Sequence, residues 1–163
     1  MINLPFLVLF LVSFYATAQD LQKIRTQYPQ AEKSSEITAN LENALANIGS
    51  ESSPILQAYK GAVLTLKAKF AEKRKDKKIF FKEGATLIEN AVDNEGSNIE
   101  IRYIRMSVQE NAPKILGYHK DLENDKDFIL KNFDTSKSAV KQVITDFVLR
   151  SDNFSVDEKA KFH

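Results

Sequence analysis

Cysteine is absent from the 163-residue sequence, which excludes disulfides, thiolate metal sites and cysteine nucleophiles. Tryptophan is absent as well. Only two histidines occur, His119 and His163, far apart and without the H-E-x-x-H spacing that sets two imidazoles on one helix face. Neither reads as a metal ligand or triad member, so no metal and no cofactor is expected. Charge of one sign is not in excess: 23 Lys+Arg and 22 Asp+Glu leave a formal net charge of +1, with no overall pull toward nucleic acid or an acidic membrane. What is present, 43% hydrophobic and 28% charged residues, is ordinary for a folded chain and argues against disorder.

Charge is missing most conspicuously at the amino end. Residues 1–18 hold no charged side chain, and Leu4 to Phe14 is a nearly continuous apolar run followed by Tyr15-Ala16-Thr17-Ala18-Gln19. The run is as long as a signal-peptide h-region of about 7–15 residues and too short for a spanning helix of about 20. Ala16 and Ala18 supply the small residues a signal peptidase needs, so cleavage is expected after Ala18. The n-region is weak, with no Lys or Arg. The division expected is therefore a cleavable secretory signal peptide over 1–18 and one domain over 19–163. That length suffices for a real core. No stable membrane span is expected after cleavage.

Apolar spacing assigns the class. Ile37, Leu41, Ala44, Leu45 and Ile48 recur every three or four residues, with Gly49 as a left-handed stop. Ser53 offers an N-cap, Pro54 suits a first helical position, and Ile55, Tyr59, Ala62, Val63, Leu66 and Phe70 form one long stripe. Asp76 can cap a further helix with Ile79, Phe80, Leu87, Ile88 and Ala91 inward; Gly84 inside it suggests a close helix crossing. Leu122, Ile129 and Phe133 mark a helix from about Asp121, and Val140, Val143, Ile144 and Phe147 mark another from near Ser136. Ser155 with Glu158 fits a capping box for a last short helix. Asp20 to Ile24 reads as a weaker turn ended by Pro29. No Gly- or Ser-rich linker divides the chain.

Asn98 to Tyr103 alternates apolar and polar residues, the period of a strand. As a helix it would carry Ile101, Ile104 and Val108 on one face and Ile99, Tyr103 and Met106 on the opposite one. A helix apolar on two sides belongs in the middle of a stack. A lone strand would have no partner, because nothing else alternates. The segment is read as a helix and the chain as all-α.

Gly84 to Tyr103 resembles the hinge between consecutive tetratricopeptide repeats, with Gly84, Ile88 and Ala91 in the small, bulky and Ala slots of helix B. Gly96 stands where that family usually has Pro, Arg102 where an aromatic is common, and Arg105 where Leu is expected. The likeness covers one repeat junction, without a 34-residue period. It implies antiparallel helical hairpins packed in a short tetratricopeptide-like right-handed stack. A longer combination is similar to a group of uncharacterised exported proteins of flavobacterial type. It comprises Asp20 to Arg25, Ser53 to Ala62, Asn98 to Arg105 and Asn111 to Tyr118. That resemblance implies a Gram-negative periplasmic or cell-surface location and carries no activity.

Arg105 shares a face with Ile101, Ile104 and Val108, which sets its guanidinium in or beside the core. A buried Arg needs a carboxylate or several carbonyls. Glu83, Glu89 and Glu100 are the candidate partners. Either Arg102 and Arg105 line an anion site, or Arg105 forms an internal salt bridge; the salt bridge is favoured. Lys67, Lys69, Lys73, Arg74, Lys75, Lys77 and Lys78 stand against only Glu72 and Asp76. Such an excess can attract phosphate, acidic polysaccharide or lipid headgroups, or be simply a solvated helix end. It lacks interleaved aromatics for base stacking, so nucleic acid is not an expected partner. Asn111 to His119 is an irregular apolar segment that either lines a groove with Tyr118 as its aromatic contact or plugs the core with Ile115 and Leu116. Plugging is favoured. Asp121, Glu123, Asp125 and Asp127 alternate like a calcium loop, but Lys126 and Asn132 stand where Gly and Glu are required. Asn153-Phe154-Ser155 matches a glycosylation acceptor, which the bacterial origin implied by the flavobacterial resemblance would make incidental.

Together these readings predict an exported, non-catalytic helical domain whose partner is another protein. The alternative is a periplasmic binder of a small anionic ligand or polyanion through Lys73, Arg74, Lys75, Lys77 and Lys78 or the Arg102/Arg105 pair. An enzyme would have only carboxylates such as Glu83 and Glu89 for acid/base work.

Overall fold

Residues 20–162, described by a computed structural model, form helices α1 (20–31), α2 (Ser35–Ala44), α3 (Pro54–Phe70), α4 (Arg74–Glu95), α5 (Ile99–Asn111), α6 (Leu122–Asn132), α7 (Ser138–Arg150) and α8 (Val156–Lys159). Tight 3-10 turns occur at Lys114–Leu116, Phe133–Thr135 and Ala160–Phe162, and no strand occurs among the described residues. The fold is all-α. The expected signal peptide, its cleavage point and His163 lie outside the described residues.

The α3–α4 hairpin is built on two glycines. Gly61 and Gly84 face each other at the crossing: a Cβ on Gly61 would stand 2.5 Å from the Gly84 carbonyl oxygen and 2.8 Å from Ile88 Cγ1. A Cβ on Gly84 would run into the Gly61 carbonyl oxygen in the same way. Only hydrogen fits at either position. Gly84→Ala is therefore expected to destabilise by about 1–3 kcal/mol through overpacking, although Ala is the better helix former by about 1 kcal/mol. Urea unfolding gives the sign; a more stable variant would mean that the helices do not meet here.

α5 is the middle layer. Ile101, Ile104 and Val108 on one side and Tyr103 and Met106 on the other are all buried, with Ile99 partly so. The helix touches α3 and α4 before it and α6 and α7 after it. The alternation at its start is thus two apolar faces of a helix. Asn98 caps it by accepting from the Glu100 N–H at 3.0 Å. Gln109, fully buried on α5, has neither its amide nitrogen nor its oxygen bonded. Leaving such an amide unpaired costs about 1–3 kcal/mol. Gln109→Met, near in shape, is expected to raise the melting temperature, and a lower one would show that the amide is satisfied.

Aromatic rings run through the core from one end to the other. Tyr59 meets Tyr28 at 5.6 Å between centroids, Tyr28 meets Tyr103 at 6.4 Å, and Tyr103 meets Phe147 at 5.1 Å. Phe147 continues to Phe154 at 6.2 Å, Phe154 to Phe162 at 6.3 Å, and Phe162 to Phe133 at 4.3 Å. All but the tilted Phe133–Phe162 pair are edge-to-face, an arrangement that adds to area burial. They tie α1, α3, α5, α7 and the carboxy-terminal turns together.

Several sequence expectations need correction. Pro29 does not end a weak turn: the helix runs on through it to residue 31. Ile24, Tyr28 and Ala31, at helical spacing, are buried, and their packing offsets the one hydrogen bond that Pro29 cannot donate. α2 stops at Ala44, before Ile48, and Gly49 is not left-handed; only Gly117 has positive φ among the described residues. The reason lies on α3. Lys60 Nζ takes the carbonyls of Ala46 (3.3 Å) and Ile48 (2.6 Å), and Gln57 Nε2 those of Ser50 (3.0 Å) and Ser52 (2.6 Å), holding the loop outside a helix. Pro54 does open α3 after Ser53, but the Ser53 hydroxyl makes no capping bond. α4 begins at Arg74 with Asp76 in its first turn rather than at its cap. Its Ile79 is 48% exposed, not inward. Ser155 and Glu158 do form both halves of a capping box on α8.

Candidate functional site

Asp125 on α6 is fully buried and faces two arginines of α5. Arg105 grips it with both arms of its fork, Nε to Oδ2 and Nη2 to Oδ1, each at 2.7 Å. Arg102 Nη1 reaches Oδ1 at 3.0 Å, and its Nε donates to the Gly96 carbonyl at 2.7 Å, fixing the turn between α4 and α5. The remaining arm of Arg105 reaches Glu89 of α4 at 2.9 Å. Burial opposes the Arg105 charge, but Asp125 and Glu89 outweigh it and raise its pKa above the ordinary arginine value. Of the three carboxylates weighed from sequence, Glu89 is a partner. Glu83 is exposed, and Glu100 pairs instead with Arg25. Asp125 was missed because its place in a calcium-like alternation says nothing about which helix it faces. Arg102 and Arg105 spend their charge internally, which favours the salt-bridge reading over an anion site.

Half-buried Glu89 carries this knot to the surface, where an aromatic meets it. Glu89 Oε1 accepts the Tyr118 hydroxyl at 2.6 Å, and the Tyr118 ring meets Phe81 of α4 edge-on at 5.7 Å. The segment before Tyr118 is thereby held against α4. Gly117 makes the reversal at φ 64, and His119 Nε2 lies 2.9 Å from the Ala112 carbonyl oxygen. Ile115 and Leu116 do not plug the core: they are 86% and 41% exposed. The three-residue turn is too short to fold them under, and Tyr118 and Phe81 already fill the space beside α4. A shallow groove of about 420 Å³ results, with Phe81, Ala85, Leu116 and Tyr118 as its apolar lining and Lys78 and Lys82 among its polar residues.

Two lysines of the basic stretch are engaged on α3. Lys67 pairs with Glu42 at 2.5 Å, and Lys69 bonds the Glu32 carbonyl at 2.9 Å. Lys73 precedes α4 and edges a second hollow of about 430 Å³ with Phe70 and Phe80. Arg74, Lys75 and Lys77 are exposed on α4. Of the residues singled out from sequence, Arg102 and Arg105 meet at Asp125, and Lys78, Glu89, Leu116 and Tyr118 meet at the groove. Phe81, Lys82 and Ala85 were not foreseen there, whereas Leu116 lies in the apolar segment weighed from sequence as a groove lining; the four-residue spacing of Lys78, Lys82 and Thr86 on one helix face was the signal on the α4 side. Asn153 has its amide bound to Glu110 at 2.8 Å. Among the described residues no group of three or more His, Asp or Glu is placed to hold a metal, and no helix is long and apolar enough to cross a membrane.

Burial raises the pKa of Tyr28 to about 12 despite its hydrogen bond to Ser107, and raises Tyr59, Tyr103 and Tyr118 further above the ordinary phenol value. Unfolded phenols ionise near 10, so the unfolded chain loses these protons first. Their contribution to stability is complete below about pH 10 and is lost as pH rises through the raised values. The loss steepens with each buried phenol that must ionise. Alkaline titration is expected to show phenolate absorbance and loss of helix in one coincident transition. Ionisation that precedes helix loss would contradict it.

Compared with protein families, curated proteins and solved structures, the chain matches none.

Proposed function

We propose that the chain is an exported, non-catalytic helical domain, with hairpins packed in a tetratricopeptide-like stack, that works by binding another protein in the periplasm or at the cell surface. The observation that carries this reading is the exposed Ile115–Leu116 shelf beside a preformed groove. Leu116 lines this groove with Phe81, Ala85 and Tyr118, which gathers exposed apolar surface at one place as interaction sites do, and Tyr118 is held there by its hydrogen bond to Glu89, a partner of Arg105. The sequence character of residues 1–18 and the likeness to exported flavobacterial proteins support the location. A non-catalytic role is supported by the carboxylates: Glu83 is exposed, and Glu89 is tied to Arg105 and Tyr118. A photo-crosslinking residue placed at Ile115 in the producing cell is expected to yield one discrete cross-linked protein. Its recovery from the periplasmic or surface fraction, with Gln19 first in the mature chain, would complete the test. A smear no different from that at an exposed position on α7 would remove the reading.

A second reading, an anionic ligand or polyanion on the basic patch, has its own observation. Lys73, Arg74, Lys75, Lys77 and Lys78 crowd the amino end of α4, where the helix dipole is already positive and no side chain caps it. A bound anion would relieve that repulsion. Salt-sensitive thermal stabilisation by polyphosphate is expected on this reading, and an unchanged melting temperature across phosphate and polyphosphate would dismiss it.

A further inference from the structure

Resting on the protein-binding reading, we propose that the groove between α4 and the Lys114–Leu116 turn takes a short peptide segment in which one or two apolar residues are flanked by Asp or Glu. The first argument is size. A groove of about 420 Å³ has room for about two large apolar side chains and none for a folded surface. The second is preorganisation. The Tyr118 ring stands at 88° to Phe81, and its hydroxyl is fixed to Glu89, so the lining exists before anything binds. Ile115, next in the chain to Leu116, is exposed.

The third argument is charge. Lys78 and Lys82 lie one turn apart on the α4 side of the groove, both exposed and in no ion pair among the described residues. The one carboxylate lining the groove is Glu89, and its two oxygens are occupied by Tyr118 and Arg105. The free charges facing an occupant are therefore both positive. Acidic flanks are attracted and basic flanks repelled, which sets partner choice more than affinity. A flat bilayer would touch Ile115 but could not reach the Phe81–Tyr118 floor.

Random displayed peptides selected against the purified protein are the probe. Apolar sequences with adjacent Asp or Glu are expected to be enriched. A synthetic peptide of that type should lose about tenfold in affinity on Leu116→Asp and on the double change Lys78→Glu and Lys82→Glu, and should weaken with salt. The same library selected on the doubly changed protein should turn to Lys/Arg flanks. All three positions are exposed, and unchanged circular dichroism and melting verify that the variants fold. No enrichment over an unrelated bait, enrichment without acidic bias, or an acidic bias that survives the charge reversal would each overturn the proposal. So would binding to anionic phospholipid vesicles that Leu116→Asp abolishes, which would assign the shelf to a lipid surface. A discrete cross-link at Ile115 without acidic preference in the library would sink the peptide chemistry and leave the protein-binding reading standing. Absence of the cross-link sinks the reading itself.

Discussion

Asp125→Ala is expected to cost about 3–5 kcal/mol, a fall in melting temperature on the order of 10 °C, because it takes from the buried Arg105 guanidinium its bidentate partner. Arg105 has a side chain only 5% exposed and keeps only Glu89 close by, with Asp121 at 3.7 Å. Arg102, 21% exposed, can turn partly to water. The loss therefore belongs mainly to Arg105. Replacing the pair together, Arg105→Met with Asp125→Leu, is expected to recover most of the stability, since apolar groups of similar volume often substitute for a buried ion pair without loss. Urea unfolding of the single and double variants makes the comparison. A loss below about 1 kcal/mol for Asp125→Ala would mean that water reaches the pair.

The second large effect is expected at Glu100. Its carboxylate, 3% exposed, receives Arg25 Nε and Nη2 at 2.7 Å each and the Tyr59 hydroxyl at 2.7 Å. One acidic group in the first turn of α5 thus holds α1 and α3 at once, and its charge also suits the positive end of the helix. The hydrogen bond to Glu100 leads the causes that raise the Arg25 pKa, ahead of an opposing burial penalty. Glu100→Ala is expected to cost about 3 kcal/mol, at the lower end for a buried pair because Arg25 sits near the edge and can hydrate. The distribution of the loss is the sharper readout. Amide exchange should accelerate first over residues 20–31, which depend on this contact, while α6 and α7 keep their protection. Uniform acceleration would mean that Glu100 supports the whole core rather than the docking of α1. Arg25→Lys should fall between wild type and Glu100→Ala, since an ammonium cannot supply the fork.

Much of the fold was legible because helix-forming information is local. The stripe from Ile55 to Val63, the two faces of Ile99–Val108 and the Ser155–Glu158 box are patterns read within three or four residues of each other. Gly84 advertised a close crossing because a glycine inside a helix has few other reasons to be there. Pro29 misled because its local cost was outweighed by the burial of Ile24, Tyr28 and Ala31, which only packing reveals. Ile115 and Leu116 misled for the converse reason: apolarity marks a residue as suited to burial, but a three-residue turn bounded by Pro113 and Gly117 offers no way under the core.

The sequence by itself determined an all-helical chain, the position of most helices, the central place of α5 and the need of Arg105 for a carboxylate or carbonyl partner. Periodicity, caps and desolvation act over a few residues or on a single group, and all of these can be read in a string. Tertiary structure alone decided that Asp125 answers Arg105, that Glu100 holds α1, and that Leu116 and Tyr118 meet Lys78 and Lys82 at one groove. Those pairings join residues 20 to 75 positions apart, and no periodicity along the chain encodes which distant groups the helices bring together.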